Sequence, residues 1–213
     1  MTKHDELVSA LLHLFGAIFS AAIAVVLIVL AAREGSAWHV VSFTLFGVSL
    51  ILLYGASSAY HFSASPKARA LFRRLDHAMI FVLIAGTYTP LALTVLRGGW
   101  GWSLFGVVWG IAIVGMLWKF VASKVEHRFS TFLYVLSGWL VVVAAVPLAN
   151  ALTRTELFWL ILGGVFYTAG AMLLPIKRLP VFHTWLTPHN VFHGFVVLGS
   201  GSHAWLTLHL LWS

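Results

Sequence analysis

Seven apolar stretches, each about long enough to cross a lipid bilayer, take up most of this chain of 213 residues. A helix needs about 20 predominantly apolar residues to span the hydrocarbon core. The stretches lie at 8–31, 39–62, 75–96, 103–122, 130–152, 157–176 and 188–212. Because only short polar linkers separate them, the pattern predicts an all-α bundle of seven transmembrane helices, forming a single domain over residues 1–213.

The composition excludes a soluble domain. Hydrophobic residues make up 61% of the chain and charged residues only 9%, whereas a soluble domain carries roughly 25% charged residues. So few charges cannot cover a water-exposed surface, and we expect a multi-pass protein of the cell membrane. Cysteine is absent, which excludes disulfides and thiolate metal ligands.

The basic residues divide unequally between the two sides that seven spans would create. The formal net charge of +7 would suggest nucleic-acid binding in a soluble protein, but here it indicates topology, and no nucleic acid is expected as a partner. One side holds ten: Lys3, Lys67, Arg69, Arg73, Arg74, Lys119, Lys124, Arg128, Lys177 and Arg178. The other side holds Arg33, Arg97 and Arg154. Since cytoplasmic loops carry the excess of Lys and Arg, the N-terminus is predicted inside and the C-terminus outside.

Three histidines fall at one membrane face in this arrangement. His61 lies in the last turns of the second span, and His189 and His193 lie at the start of the seventh. His189 and His193 are four residues apart on a helix and share a face, as paired metal-binding histidines do. With His61 they form a His₃ set, which with water in a fourth position is the composition of a catalytic zinc site.

Two further polar residues suit a catalytic role at the same level. Asp76, at the start of the third span, is placed to hold a water molecule or to accept its proton. Ser57 precedes His61 by one helical turn, so its hydroxyl can meet the imidazole or a neighbouring water. We therefore predict Asp76 and Ser57 as catalytic residues beside metal ligands His61, His189 and His193.

Other interpretations of these residues remain open. Histidines near helix ends can simply lie in the headgroup region, and Asp76 can stabilise the N-terminus of its helix. Paired histidines can also ligate haem. Glu6 and His13 of the first span lie at the same level without an assigned role, and His203 lies nearly three turns beyond His193, too far to join the site.

Three separated segments resemble the hemolysin III family, the bacterial branch of the progestin and adipoQ receptors, which include the adiponectin receptors. The segments are Ser57-Ser58-Ala59-Tyr60-His61-Phe62, the run from Leu75-Asp76-His77 to Thr89-Pro90, and His189-Asn190-Val191-Phe192-His193. The resemblance covers nearly the whole chain. In the first span, Ser9 stands where the resemblance leads us to expect Asn.

This resemblance implies seven helices around a cavity on the cytoplasmic side. It implies one zinc ion held by His61, His189 and His193, with Asp76 and Ser57 contacting a water molecule on the ion. By similarity to the adiponectin receptors and the alkaline ceramidases, it implies hydrolysis of a lipid amide such as ceramide, with release of a fatty acid. The expected partners are thus membrane lipids or fatty acids.

Two other classes of function are compatible with the sequence. One is a non-enzymatic receptor or sensor that responds to lipid and in which zinc is structural. The other is a protein that permeabilises membranes, as the family name suggests. Against the latter, the ionisable residues cluster at one face and no polar stripe crosses the predicted bundle.

Overall fold

The structure, a computed structural model, describes residues 3–121, 127–176 and 187–212. All secondary structure within these ranges is helical, without a strand. The α-helices are α1 (Lys3–Glu34), α2 (Ala37–Phe62), α3 (Pro66–Pro90), α4 (Gly99–Val121), α5 (His127–Gly138), α6 (Ala145–Ala151), α7 (Arg154–Leu173) and α8 (Pro188–His209). A π-helical turn, Leu91–Val95, extends α3.

Six segments of the described chain are long and apolar enough to cross a membrane. They are α1 to α4, α7, and the segment Phe129–Ala151, which contains α5, a 3₁₀ stretch and α6. α8 forms a helix of 22 residues where the seventh span is predicted, but its histidines, serines and glycines lower its hydropathy. A seventh crossing by α8 and the orientation of the termini stay predictions.

The first helix shows how the bundle meets its surroundings. Its buried face consists largely of small or polar residues, among them Ser9, Ala10, His13, Ser20 and Ala24. Its exposed face carries large apolar side chains: Leu7, Leu11, Leu14, Phe15, Ile18 and Phe19. Large apolar side chains face outward because the surroundings are lipid, and small residues face inward because they let helices approach closely.

The third helix begins earlier than the sequence predicts. We expected a polar linker from Ser63 to Arg74, but α3 begins at Pro66. Proline at the first helical position has no N–H to leave unpaired, and the lysine, alanine, leucine and arginine residues that follow favour helix. Hydropathy detects only the apolar part of a helix, so the prediction missed this basic extension.

The fifth span is not one continuous α-helix. Between α5 and α6 the chain forms a 3₁₀ stretch, Trp139–Ala144. The hydroxyl of Tyr88, on α3, donates to the carbonyl oxygen of Gly138 at 2.5 Å and accepts from the backbone N–H of Val141 at 2.7 Å. A break at membrane depth is tolerated because a neighbouring helix satisfies the backbone groups that it frees.

The helices line a large, partly open cavity. α1 packs on α2 and α8, α2 on α3, α3 on α4, and α7 on α8. Between α3, α5, α6, α7 and α8 lies a cavity of about 950 Å³. We call the end of the bundle that carries Lys67, Arg69, Arg73, Arg74 and Lys119 the basic end; α1 and α8 begin there.

Candidate metal centre

Three imidazoles from two helices meet at the basic end. One potential ligand atom each of His61, His189 and His193 lies within 4.8 Å of the others. The Nε2 atoms of His189 and His193 are 2.9 Å apart. The ring of His61 has its centroid 5.1 Å from that of His193 and 5.4 Å from that of His189. α2 and α8 therefore bring together residues that are far apart in the sequence.

The spacing of these nitrogens fits a metal ion. Nitrogen ligands about 2.0–2.1 Å from a tetrahedral zinc ion stand roughly 3.3 Å from one another. The observed separations, from 2.9 Å up to 4.8 Å, bracket that value. Small side-chain rotations therefore suffice to place the three nitrogens around one ion.

The hydrogen bonding of the rings also fits a metal ion. The Nδ1 of His61 is bonded to the Oε2 of Glu6 at 2.8 Å, while its Nε2 is buried without a hydrogen-bond partner among the described residues. The nitrogen of His193 that faces His189 is its Nε2, at 2.9 Å from the Nε2 of His189, while its Nδ1 points away from that nitrogen and is buried without a partner in the described chain. Buried polar atoms without partners cost roughly 1–3 kcal/mol each. A positive ion at the shared face would satisfy the nitrogens that point toward it.

Local sequence signals fix where α8 begins, and hence the height of its histidines. The side chain of Thr187 accepts from the backbone N–H of Asn190, and Pro188 occupies the first turn. Both are typical of a helix N-terminus. The hydroxyl of Ser9 on α1 donates to the Oδ1 of Asn190 at 2.6 Å, so α1 holds α8 at this turn.

A fourth imidazole lies against the cluster. The ring centroid of His13 is 3.9 Å from that of His193, and both of its ring nitrogens are buried without a partner among the described residues. His13 also lines the cavity. It is not part of the group of nitrogens within 4.8 Å in the described chain.

Of the predicted catalytic pair, Asp76 on α3 lines the same cavity, and Ser57 on α2 is buried and is not among the lining residues. The carboxyl group of Asp76 lines the cavity together with His189 and His193. The Ser57 hydroxyl lies beside this carboxyl group, but without the geometry of an ordinary hydrogen bond. Asp76 is outside the 4.8 Å group of the described residues, so it does not itself complete the ligand set.

The cavity combines a polar end with apolar walls. Its polar groups gather at the basic end and include Arg73, Asp76, His77 and His189. Most of the remaining wall is apolar, formed by side chains such as Leu83, Ile84, Leu148, Leu160 and Val196. Its volume lies in the range of about 300–1,000 Å³ that is usual for small-molecule sites. The cavity thus has an ionisable end and largely apolar walls.

The structure assigns contacts to residues that the sequence left without a role. Glu6 bonds to His61, Ser9 bonds to Asn190, and His13 packs on His193. The sequence contained a signal for these contacts: Glu6, Ser9 and His13 are spaced i, i+3 and i+7 and so share one face of the first helix. Three polar residues on one face of an apolar span indicate a polar neighbour, but the sequence does not name that neighbour.

These features define a class: a helical membrane protein with a cluster of three histidines beside a cavity with largely apolar walls. The sequence pattern of the family described as Haemolysin-III related matches residues 1–204, and the chain belongs to this family. It is 39% identical over 201 residues to "Hemolysin-3 homolog" of Bacillus subtilis (strain 168), covering 94% of this chain and 92% of that protein. It is 40% identical over 196 residues to "Hemolysin-3" of Bacillus cereus, covering 92% and 87%.

A more distant relative lies outside the bacteria. Over 227 aligned residues the chain is 25% identical to "Adiponectin receptor protein" of Drosophila melanogaster, covering 94% of this chain and 49% of that protein. The resemblance to the hemolysin III family and its receptor relatives is thereby confirmed. Together with the six apolar helices, the bacterial relatives identify a multi-pass protein of the bacterial cell membrane.

Proposed function

We propose that this protein is a zinc-dependent hydrolase that cleaves an amide bond in a membrane lipid of the ceramide class and releases a fatty acid. The observation that carries the proposal is the meeting of His61, His189 and His193 beside a cavity of about 950 Å³ with apolar walls. A three-histidine set is a composition found in catalytic zinc sites. The cavity offers an acyl chain apolar surface that extends away from the polar end.

The three histidines would hold the ion, and a bound zinc ion would supply Lewis-acid chemistry to the hydrolysis. Asp76 would take a proton from the attacking water at its carboxylate oxygen. The water oxygen bonds to the amide carbon, the carbon–nitrogen bond breaks, and Asp76 returns the proton to the leaving nitrogen. The products are a fatty acid and a free amine, and Ser57 beside Asp76 would keep the carboxyl group oriented.

The apolar wall has two roles in this scheme. It binds the acyl chain by removing it from lipid or water, and it excludes bulk water from the reacting amide. The cationic and polar side chains Arg73 and His77 at the basic end would face the polar part of the lipid. The substrate would thus lie with its amide near the histidines and its chain along α3, α7 and α8.

Replacing Asp76 by Asn tests the proposal. Release of fatty acid from ceramide in mixed micelles should fall by about 10²–10⁴-fold, because general acid–base catalysis contributes that much. The zinc content should stay unchanged, since Asp76 is outside the group of candidate ligands. Glu34→Gln removes a carboxylate at the far end of α1 and serves as the matched control.

Two results would contradict the proposal. In one, zinc-loaded wild-type protein releases no fatty acid from ceramides or related N-acyl lipids. In the other, Asp76→Asn keeps the wild-type rate.

A lipid-responsive receptor with structural zinc is the second candidate, favoured by the similarity to a protein named as an adiponectin receptor. In that case purified protein would hold zinc and bind fatty acid without turnover. A membrane-homeostasis phenotype would then survive Asp76→Asn and be lost with His193→Ala.

A further inference from the structure

One carboxylate, Glu6, connects the histidine cluster to the surface of the basic end. Its Oε2 accepts from the Nδ1 of His61 at 2.8 Å, and its Oε1 accepts from the guanidinium of Arg69. The guanidinium of Arg69 also lies over the ring of Tyr60, 4.8 Å from its centroid. The His61 side chain has no exposed surface, while the side chains of Glu6 and Arg69 are 19% and 34% exposed.

The bond to Glu6 decides which nitrogen of His61 carries hydrogen. An ionised carboxylate can only accept, so the Nδ1 of His61 must donate. In a neutral imidazole the other nitrogen then holds the lone pair. That atom, Nε2, is buried and has no hydrogen-bond partner among the described residues. The carboxylate thus leaves His61 with a ligand atom available for the cluster.

Arg69 fixes the carboxylate in turn. A flexible glutamate side chain held only by one imidazole could rotate away, but the guanidinium binds its second oxygen. Stacking on Tyr60 restricts Arg69, and Tyr60 directly precedes His61 in α2. Tyr60 and His61 of α2 are therefore linked through two other helices. Tyr60 contacts Arg69 of α3, Arg69 binds Glu6 of α1, and Glu6 binds His61.

We propose that Glu6 is a positioning residue of the metal centre, which orients His61 and sets its tautomer, and that Arg69 clamps Glu6 for this task. This inference rests on the proposed zinc site and adds to it a role for the first helix. Carboxylates behind ligating histidines raise ligand basicity and fix ring orientation, and losing one typically lowers metal affinity about 10–100-fold. If Glu6 served only to join α1 to α3 through its ion pair with Arg69, its second carboxylate oxygen would not need to bond to the wholly buried ring of His61.

Zinc affinity of the purified full-length protein in detergent, measured by competition with a chromophoric chelator, tests this role. Glu6→Gln keeps the size of the side chain but removes its charge, and we expect zinc binding about 10–100-fold weaker. Arg69→Gln leaves the carboxylate beside His61 without its clamp, and a smaller loss of a few-fold is expected. The matched control is Glu34→Gln on the same helix, where Glu34 accepts from the indole N–H of Trp212 at 2.7 Å and should not affect zinc.

A second readout distinguishes positioning from general support of the fold. Cobalt substituted for zinc reports ligand geometry through its visible absorption, and Glu6→Gln should shift these bands while Glu34→Gln should not. Unchanged zinc affinity and cobalt spectrum in Glu6→Gln would overturn the role of Glu6 and leave the zinc site intact. If Glu6→Gln is not recovered as folded protein, the same measurements are made on Arg69→Gln. An unchanged zinc affinity of Arg69→Gln would overturn the proposal that Arg69 holds Glu6 in place for the metal centre. Absence of zinc binding by the wild type would overturn the metal centre, and the role of Glu6 with it.

Discussion

The two ends of α8 place the same residue type in different surroundings. In its first turns, His189 and His193 meet His61 from α2, and His13 from α1 packs on His193. In its later turns, His203 stacks on the ring of Tyr167 with centroids 5.5 Å apart. Its Nε2 lies over Gly163 of α7. The role of a buried histidine in this bundle therefore depends on what the neighbouring helices present to it.

The two environments differ in what would stabilise them. Several imidazoles at one place leave buried nitrogens that a shared cation could satisfy. The position of His203, in contrast, is set by packing, since a Cβ at Gly163 would lie 2.6 Å from its Nε2. The glycine permits a close approach of α7 and α8, as small residues do between membrane helices. One end of α8 thus suits a binding site, and the other suits a contact between helices.

The largest expected effect separates the two ends by metal content. His193→Ala should remove zinc almost completely from purified, chelator-washed protein, since it deletes one of three candidate ligands. His203→Ala should retain the wild-type zinc content, although it also removes a buried imidazole from the same helix. Elemental analysis of both variants beside the wild type checks this. If His193→Ala retains zinc, or if His203→Ala loses it, the first turns of α8 do not differ from its later turns in metal binding, and the prediction is wrong.

A smaller effect is expected from the packing end. Gly163→Ala should destabilise the protein by about 1–3 kcal/mol, the usual cost of adding a methyl group to a filled interior, because the new Cβ displaces the ring of His203. Gly164→Ala is the matched control, since a Cβ there meets nothing within 4 Å. Denaturant unfolding in detergent measures both. Equal stabilities of Gly163→Ala and Gly164→Ala would mean that α7 and α8 can move apart at this position without a cost in free energy. The zinc content of both variants should equal that of the wild type.

Much of the fold and part of the centre could be predicted from the sequence. Hydropathy marks six spans within the described residues, because a bilayer imposes a length and a composition. The four-residue spacing of His189 and His193 places both on one face of any helix. The level of His61 followed from the alternating direction of successive spans. The structure brings these three residues together, while their role as metal ligands stays a prediction.

Contacts that depend on how helices rotate against each other could not be predicted. Glu6 was evident as a charge at the basic end, but its bond to His61 depends on the rotation of α1 about its own axis. The break in the fifth span was hidden for a similar reason. It is accommodated by Tyr88, about 50 residues earlier in the chain, so no local pattern around Trp139–Ala144 reveals it.

The smallest expected effect tests whether α1 holds the binding end of α8. Ser9→Ala removes the bond from Ser9 to Asn190 and should destabilise the protein by about 1 kcal/mol, the net value of a typical buried hydrogen bond. Zinc affinity should fall less than in Glu6→Gln, because Asn190 only neighbours His189. Ser202→Ala is the control: its hydroxyl donates to the carbonyl of Leu198 within α8 itself, so its loss disconnects no pair of helices. Equal stability of the two variants would show that the contact between α1 and α8 depends on packing alone, and the two ends of α8 would then be held in the same way.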